Sequence, residues 1–171
     1  MMMELKTVVD ALVTRFDAQP SEFRGQTRLL VSREHLVEAA TALRDEFGFE
    51  MLTEQTAVDY WPQESPRFHV VYWFTSWQHG GLRLSLRVPV PGDDPTLPTL
   101  EGVYPNANWH ERELWDMFGL RFEGHSDLRR ILMPYDWVGH PLRKDYPLGY
   151  EEVQFSFNHE EIQARKPQPK D

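Results

Sequence analysis

Apolar residues recur at helical spacing in the first part of the chain. Leu5, Val8, Val9, Leu12 and Phe16 fall on one face of a helix over residues 2–17. Gln19-Pro20-Ser21 reads as the break that ends it. Thr27-Arg28-Leu29-Leu30-Val31 is a short strand, and Ser32 stands where a helix cap belongs. The second helix carries Leu36, Ala40, Leu43 and Phe47 on its apolar face, with Gly48 at the position of a C-terminal glycine. From Phe49 to Asp59 the pattern is extended, and turn residues run from Pro62 to Pro66.

The period then shortens to two. Arg67–Trp77 is rich in β-branched and aromatic residues. Gln78-His79-Gly80-Gly81 is a turn. In the return strand Leu82, Leu84, Leu86, Val88 and Val90 alternate with Arg83, Ser85 and Arg87. One buried face and one polar face suit an antiparallel pair packed on helices. Pro91–Pro95 is a loop that Pro98 extends, and Thr99 caps a short helical turn to Val103. A helix follows, capped by Asn106 or Asn108 and ended by Gly119, and Leu120-Arg121-Phe122 is a further short strand. The order of elements predicts an α+β fold. It is a two-layer domain with a mixed β-sheet packed on helices, plus an irregular extended C-terminal arm. The expected division is a core over residues 1–133 and an arm and tail over 134–171.

Composition narrows the function. There is no cysteine among the 171 residues, so this chain supplies no thiol nucleophile, cysteine-ligated cluster or cysteine zinc site. The net charge of −9 opposes nucleic-acid binding and docking on anionic lipid. No apolar run is long enough to span a membrane. Met1–Lys6 has no signal-peptide pattern, so a cytosolic place, or a peripheral one on the cytosolic side of a membrane, is expected.

The densest chemistry lies between Tyr104 and Leu148, where six Lys and Arg meet seven Asp and Glu. His110-Glu111 lacks the second histidine, because position 114 is Leu, so the helical zinc-hydrolase motif fails. Glu111 and Glu113 point about 200° apart on a helix and make no carboxylate pair. Glu111 falls near the apolar face, where a buried partner such as an arginine fits, and Arg112 and Asp116 are spaced to pair. A stand-alone metal-dependent hydrolase would need His110, Glu111, His125 and Asp127 together. There is no Gly-rich phosphate loop. Arg129-Arg130 and Arg143-Lys144 sit among aromatics, a composition found in protein interfaces.

Glu111-Arg112-Glu113, Asp116-Met117-Phe118-Gly119, Gly124-His125 and Asp127-Leu128-Arg129-Arg130-Ile131-Leu132 together resemble a family signature. It is that of the thirty-kilodalton subunit of respiratory complex I, the C component of the bacterial proton-pumping NADH:quinone oxidoreductase. Gly139 to Leu148 is similar to the segment that follows in that family. The resemblance is dense over 67–148. It implies a non-catalytic subunit of the peripheral arm, with any enzyme activity belonging to the whole complex, a translocase coupling electron transport to proton transport. It implies no cofactor here, with FMN, iron–sulfur clusters and quinone held by partner subunits. The implied partners are a large subunit like the forty-nine-kilodalton one of complex I, and neighbouring cluster-bearing subunits, at the cytoplasmic face of the cell membrane. Ferredoxin:quinone complexes and membrane-bound hydrogenases contain similar modules, so the parent assembly stays open. On that reading Glu111, Arg112, Glu113 and Asp116 form a structural charge network. Arg129, Arg130, Trp137, His140, Arg143, Lys144 and Tyr146 face the partner.

Overall fold

The computed structural model describes residues 4–147, together with Glu160 and Ala164. The expected polar tail, the helix start at residue 2 and Leu148 of the final segment lie outside the described residues. Elements follow in the order α1 (Leu5–Phe16), β1 (Gln19–Phe23), β2 (Gln26–Leu30), α2 (Leu36–Asp45), β3 (Met51–Asp59), β4 (Phe68–Ser76), β5 (Leu82–Val90), β6 (Thr96–Pro98), α3 (Ala107–Phe118) and β7 (Arg121–Glu123).

Five strands form one mixed sheet in the order β1-β2-β5-β4-β3. Only β2 and β5 run parallel; the other neighbours are antiparallel. β6 and β7 form a separate parallel pair. The alternation of β4 and β5 decides which face is buried. Phe68, Val70, Tyr72 and Phe74 meet Leu84, Leu86, Val88 and Val90 on one side, all without solvent exposure. Val8 and Leu12 of α1, Leu36, Ala39, Ala40 and Leu43 of α2, and Ala107 and Leu114 of α3 join the same core. The fold is therefore the two-layer α+β arrangement, with helices on one face of the sheet.

Four local expectations change. Gln19-Pro20-Ser21 is not a simple break but the start of β1. An edge strand tolerates Pro20 because half of its N–H groups have no ladder partner to lose, and every residue of β1 is exposed. Ser32 provides no side-chain cap; its carbonyl instead accepts from the His35 amide at 3.2 Å, and a 3-10 turn at Arg33–His35 precedes α2. Asn106 occupies the cap position of α3 without capping it. Its amide donates to the Leu52 carbonyl at 2.7 Å and ties the helix start to β3. The loop read through Pro98 contains β6, a strand too short to leave a periodic signal.

Candidate functional site

The signature helix α3 ends at Gly119, whose φ of 74° is left-handed and easiest for glycine. A Cβ at Gly119 would lie 2.6 Å from Cδ2 of His140, so packing needs glycine as well. His140 Nδ1 lies 3.0 Å from the Asp116 carbonyl, and the Leu142 amide donates to the Met117 carbonyl at 3.0 Å. The residues after β7 thus return to the end of the helix that precedes them.

Asp116 is the centre of that return. It is fully buried. Its Oδ2 accepts the amides of Ile131, Leu132 and Met133 at 3.1, 2.8 and 2.9 Å. Its Oδ1 accepts from Arg130 Nη1 at 2.5 Å. Burial works to raise this carboxyl. The Met133 amide, the Arg130 guanidinium and the Leu132 and Ile131 amides outweigh it, so the group is held below the usual carboxylate range. Arg130 goes on to donate to the carbonyls of Trp137 (2.7 Å) and Gly139 (3.0 Å), and its guanidinium lies over the Trp115 ring.

Arg112 does not pair with Asp116 across the helix turn. It donates to the Arg129 and Arg130 carbonyls at 3.2 Å each and lies over Trp109. Three contiguous amides and an arginine satisfy a carboxylate more fully than one solvated guanidinium would. Glu111 has no arginine either. It is fully buried, and its carboxylate accepts from the Thr99 hydroxyl at 2.5 Å and the Leu100 amide at 2.7 Å. Burial dominates and raises it to about 7. Glu113 is exposed. The four charges named from the sequence are therefore divided: Asp116 and Arg112 hold the returning segment, Glu111 holds the 99–103 turn, and Glu113 faces outward.

A second clasp has no counterpart in the sequence pattern. Arg67, 3% exposed, binds Asp59 through Nε and Nη2 at 3.1 Å each, and Asp145 through Nη1 at 3.1 Å and Nη2 at 2.7 Å. Asp59 also accepts the amides of Trp61 at 3.0 Å and Lys144 at 2.9 Å. Burial opposes ionisation of both carboxyls, yet the Arg67 guanidinium beside them holds both below the usual range. Asp59 and Arg67 flank the β3–β4 connection, whereas Asp145 is 78 positions further on. No local spacing rule links residues so distant.

The positions assigned to a partner also divide. Arg130 and His140 are turned inward as described. The Arg143 side chain is 24% exposed and lies over Phe68. Arg129 is 72% exposed and pairs with Asp127, and Lys144 is exposed. Trp137 and Tyr146 are half-buried within the segment. Between these lie Leu132, Tyr135, Val138 and Leu142, exposed by 60, 94, 52 and 53%.

The hydrolase constellation does not assemble. Glu111 faces the core. His125 Nε2 is engaged with the Asn108 carbonyl at 3.1 Å, and its Nδ1 accepts the Asp127 amide at 3.0 Å. Both ring nitrogens are thus committed to backbone groups. Among the described residues no three His, Asp or Glu side chains converge as metal ligands would.

A match to the family described as "Respiratory-chain NADH dehydrogenase, 30 Kd subunit" covers residues 29–152, including both clasps. The chain belongs to this family. A relative from Roseiflexus sp. (strain RS-1), named as the C component of NADH-quinone oxidoreductase, is 50% identical over 149 residues, 86% of this chain and 84% of its own length. A protein of the same name from Geobacter sulfurreducens is 47% identical over 127 residues, 74% of this chain and 78% of its own. Among solved structures, a trypsin-resistant fragment of Nqo5 superposes with a TM-score of 0.64 at 34% identity, over 74% of this chain and all of that one. A chain of an archaeal membrane-bound sulfane sulfur reductase superposes with a TM-score of 0.65 at 23% identity, over 84% of this chain and 85% of that one, a likeness of fold alone. Membership in the 30 Kd family makes this chain a subunit of complex I, in keeping with the resemblance carried by Glu111–Leu132.

Proposed function

We infer that this chain has a structural task in a proton-pumping NADH:quinone oxidoreductase and takes no part in the chemistry. It holds the quinone-reducing module in its assembled geometry, while NADH oxidation, electron transfer and quinone reduction proceed on FMN, iron–sulfur clusters and quinone bound by other subunits. Residues 1–133 act as the core. Residues 134–171 act as the docking arm on the large subunit, the one like the forty-nine-kilodalton subunit, beside cluster-bearing neighbours. The chain sits peripherally at the cytoplasmic face of the membrane. No helix among the described residues is long and apolar enough to cross one.

The observation that carries this reading is the use of polar groups around α3. Asp116, Arg130, Asp59, Arg67 and Asp145 bind one another and the backbone of the arm, while large apolar side chains from Leu132 to Leu142 remain exposed. Catalytic sites hold polar groups ready for a substrate; this segment holds them closed and leaves apolar surface for a partner. The partner-facing residues sort into two kinds of work. Arg130, His140, Trp137 and Tyr146 give the arm its shape, and Arg129, Arg143 and Lys144 meet the large subunit.

The test is the pair of substitutions Arg129→Glu and Lys144→Glu in the whole complex. The expected result is less assembled complex in the membrane, with NADH:quinone turnover per assembled complex unchanged. Normal assembly with turnover abolished would overturn the structural reading.

A further inference from the structure

The other face of the sheet carries no helix among the described residues. Strand register brings Arg28 beside Ser85 and Leu30 beside Arg87. It places Trp73 between Ser85 and Glu54, and Val71 between Arg87 and Thr56. The intervening residues Leu29, Tyr72, Leu84 and Leu86 are fully buried in the helical layer, so this set points away from it. Phe23 on the edge strand is 51% exposed, with the guanidinium of Arg28 4.8 Å and that of Arg24 5.2 Å from its ring. Arg87 donates to the Tyr60 hydroxyl at 2.7 Å. A groove of about 580 Å³ opens at one end of the sheet, walled by Gln26, Glu54, Trp73 and Arg83 and bordered by Leu5 at the start of α1.

Charge makes this face unlike the rest of the molecule. The chain as a whole carries −9. Arg15, Arg33, Arg44, Arg67, Arg129, Arg130 and Arg143 each have a carboxylate within 4 Å. Arg112 is taken up by backbone carbonyls, and Arg121 lies apart on β7. Arg24, Arg28, Arg83 and Arg87 have no carboxylate among the described residues, and they gather on or beside the open face. The strand positions sharing the face supply a single carboxylate, Glu54. Arginine beside Trp, Tyr and Phe is the composition of interface hot spots. Guanidinium groups without a carboxylate partner among the described residues define the complement they need.

We propose that the open sheet face binds an acidic segment of another polypeptide in the assembly. That segment sets carboxylates against Arg28, Arg83 and Arg87 and an apolar side chain against Trp73. A second copy of this chain is the wrong occupant, because a symmetric pairing would set arginines against arginines. A nucleic acid is disfavoured by the net charge of −9, which repels a polyanion at long range and a short acidic segment far less. The proposal rests on the subunit reading above only in placing the partner within the same complex.

The experiment uses the full-length chain carrying R28K and R83K inside the assembled complex. A carbodiimide activates a carboxyl group, and the introduced amine then forms an amide with it, the activated oxygen leaving with the urea by-product. The expected products join these two positions to Asp or Glu residues of another subunit. Hydroxyl-radical oxidation of Trp73 should fall several-fold from the free chain to the complex. Charge reversal in an R28E, R83E chain should weaken association by roughly tenfold or more, with a shallower salt dependence. Cross-links only to this chain's own carboxylates, cross-linking to nucleic acid, or Trp73 oxidation at the free-chain rate within an assembled complex would each overturn the proposal while leaving subunit membership intact. Absence of the chain from the assembly would overturn both.

Discussion

Arginine has opposite duties on the two sides of this sheet. On the side of α3 and the arm, Arg67 and Arg130 are 3% and 13% exposed at the side chain and are tied to carboxylates and carbonyls of their own chain. On the open side, Arg28, Arg83 and Arg87 have no carboxylate partner among the described residues. A buried guanidinium must find its partners within the fold or destabilise it. One at a surface can wait for them. The first group should therefore govern the stability of the free chain, and the second, apart from the Arg87–Tyr60 hydrogen bond, what it binds.

The largest effect is expected at Asp116. Asp116→Ala leaves the amides of Ile131, Leu132 and Met133 without their acceptor and Arg130 without its counter-charge. The cost should be about 4 kcal/mol in urea unfolding, a large share of a domain's stability. Hydrogen exchange at those three amides should accelerate more than in the sheet. A loss below about 1 kcal/mol would mean that water replaces the carboxylate, and the clasp would not organise the arm. Acid should act in the same direction. Asp116, Asp59 and Asp145 are all held below their ordinary values. Their stabilisation is present above the unfolded carboxylate range and is lost as pH falls through the folded values.

Arg67 comes next. Arg67→Met strands Asp59 in the core with only the Trp61 and Lys144 amides, at a cost of about 3 kcal/mol. Adding Asp59→Asn should recover most of that loss. A buried pair is costly to break and much less costly to replace whole. Additive losses in the double variant would show that the two residues act independently.

How much of this was legible beforehand depended on sequence distance. The β4–β5 hairpin and the three helices followed from period and composition, because their signals are local. Asp116 and Arg130 are both among the residues the sequence singles out, yet four-residue spacing pairs Asp116 with Arg112, because periodicity reports only near neighbours and Arg130 lies 14 positions away. The Arg67 clasp joins three segments through tertiary packing, and nothing near Asp59 announces it. The open face was half legible: Arg83, Ser85 and Arg87 alternate visibly with leucines. That Arg28 would lie beside them required the parallel pairing of β2 with β5.

Glu111 sharpens the contrast within a single helix. Asp116 is stabilised as an anion, whereas Glu111, one turn and a residue earlier, is raised to about 7 by burial. The sign is therefore reversed. A carboxyl whose folded value lies above its unfolded one is best tolerated below about 4.5 and becomes a liability as pH rises through 7. The shift corresponds to a penalty on the order of 3 kcal/mol at alkaline pH. Glu111→Gln keeps one acceptor for the Leu100 amide and removes the titration. Thermal unfolding from pH 4.5 to 8 should show the variant gaining on the parent across that interval. Parallel pH profiles would mean that Thr99 and Leu100 compensate the buried charge fully.

The smallest effect is the one that tests the comparison most directly. Arg83→Ser removes an exposed side chain with no carboxylate partner among the described residues. Surface substitutions of this kind change folding free energy by about 0.5 kcal/mol or less in either direction. Removing one positive charge from a chain at −9 raises its net repulsion slightly, which sets the expected sign as a small destabilisation that fades with salt. A loss of about 2 kcal/mol or more in the free chain, the size expected when an internal hydrogen-bond network is broken, would mean that Arg83 is bound internally like Arg130. The open face would then lose one of the charges it needs for a partner. Near-neutral stability combined with weakened assembly would separate the two kinds of arginine as the structure does: one set holds the fold closed, and the other is left over by it.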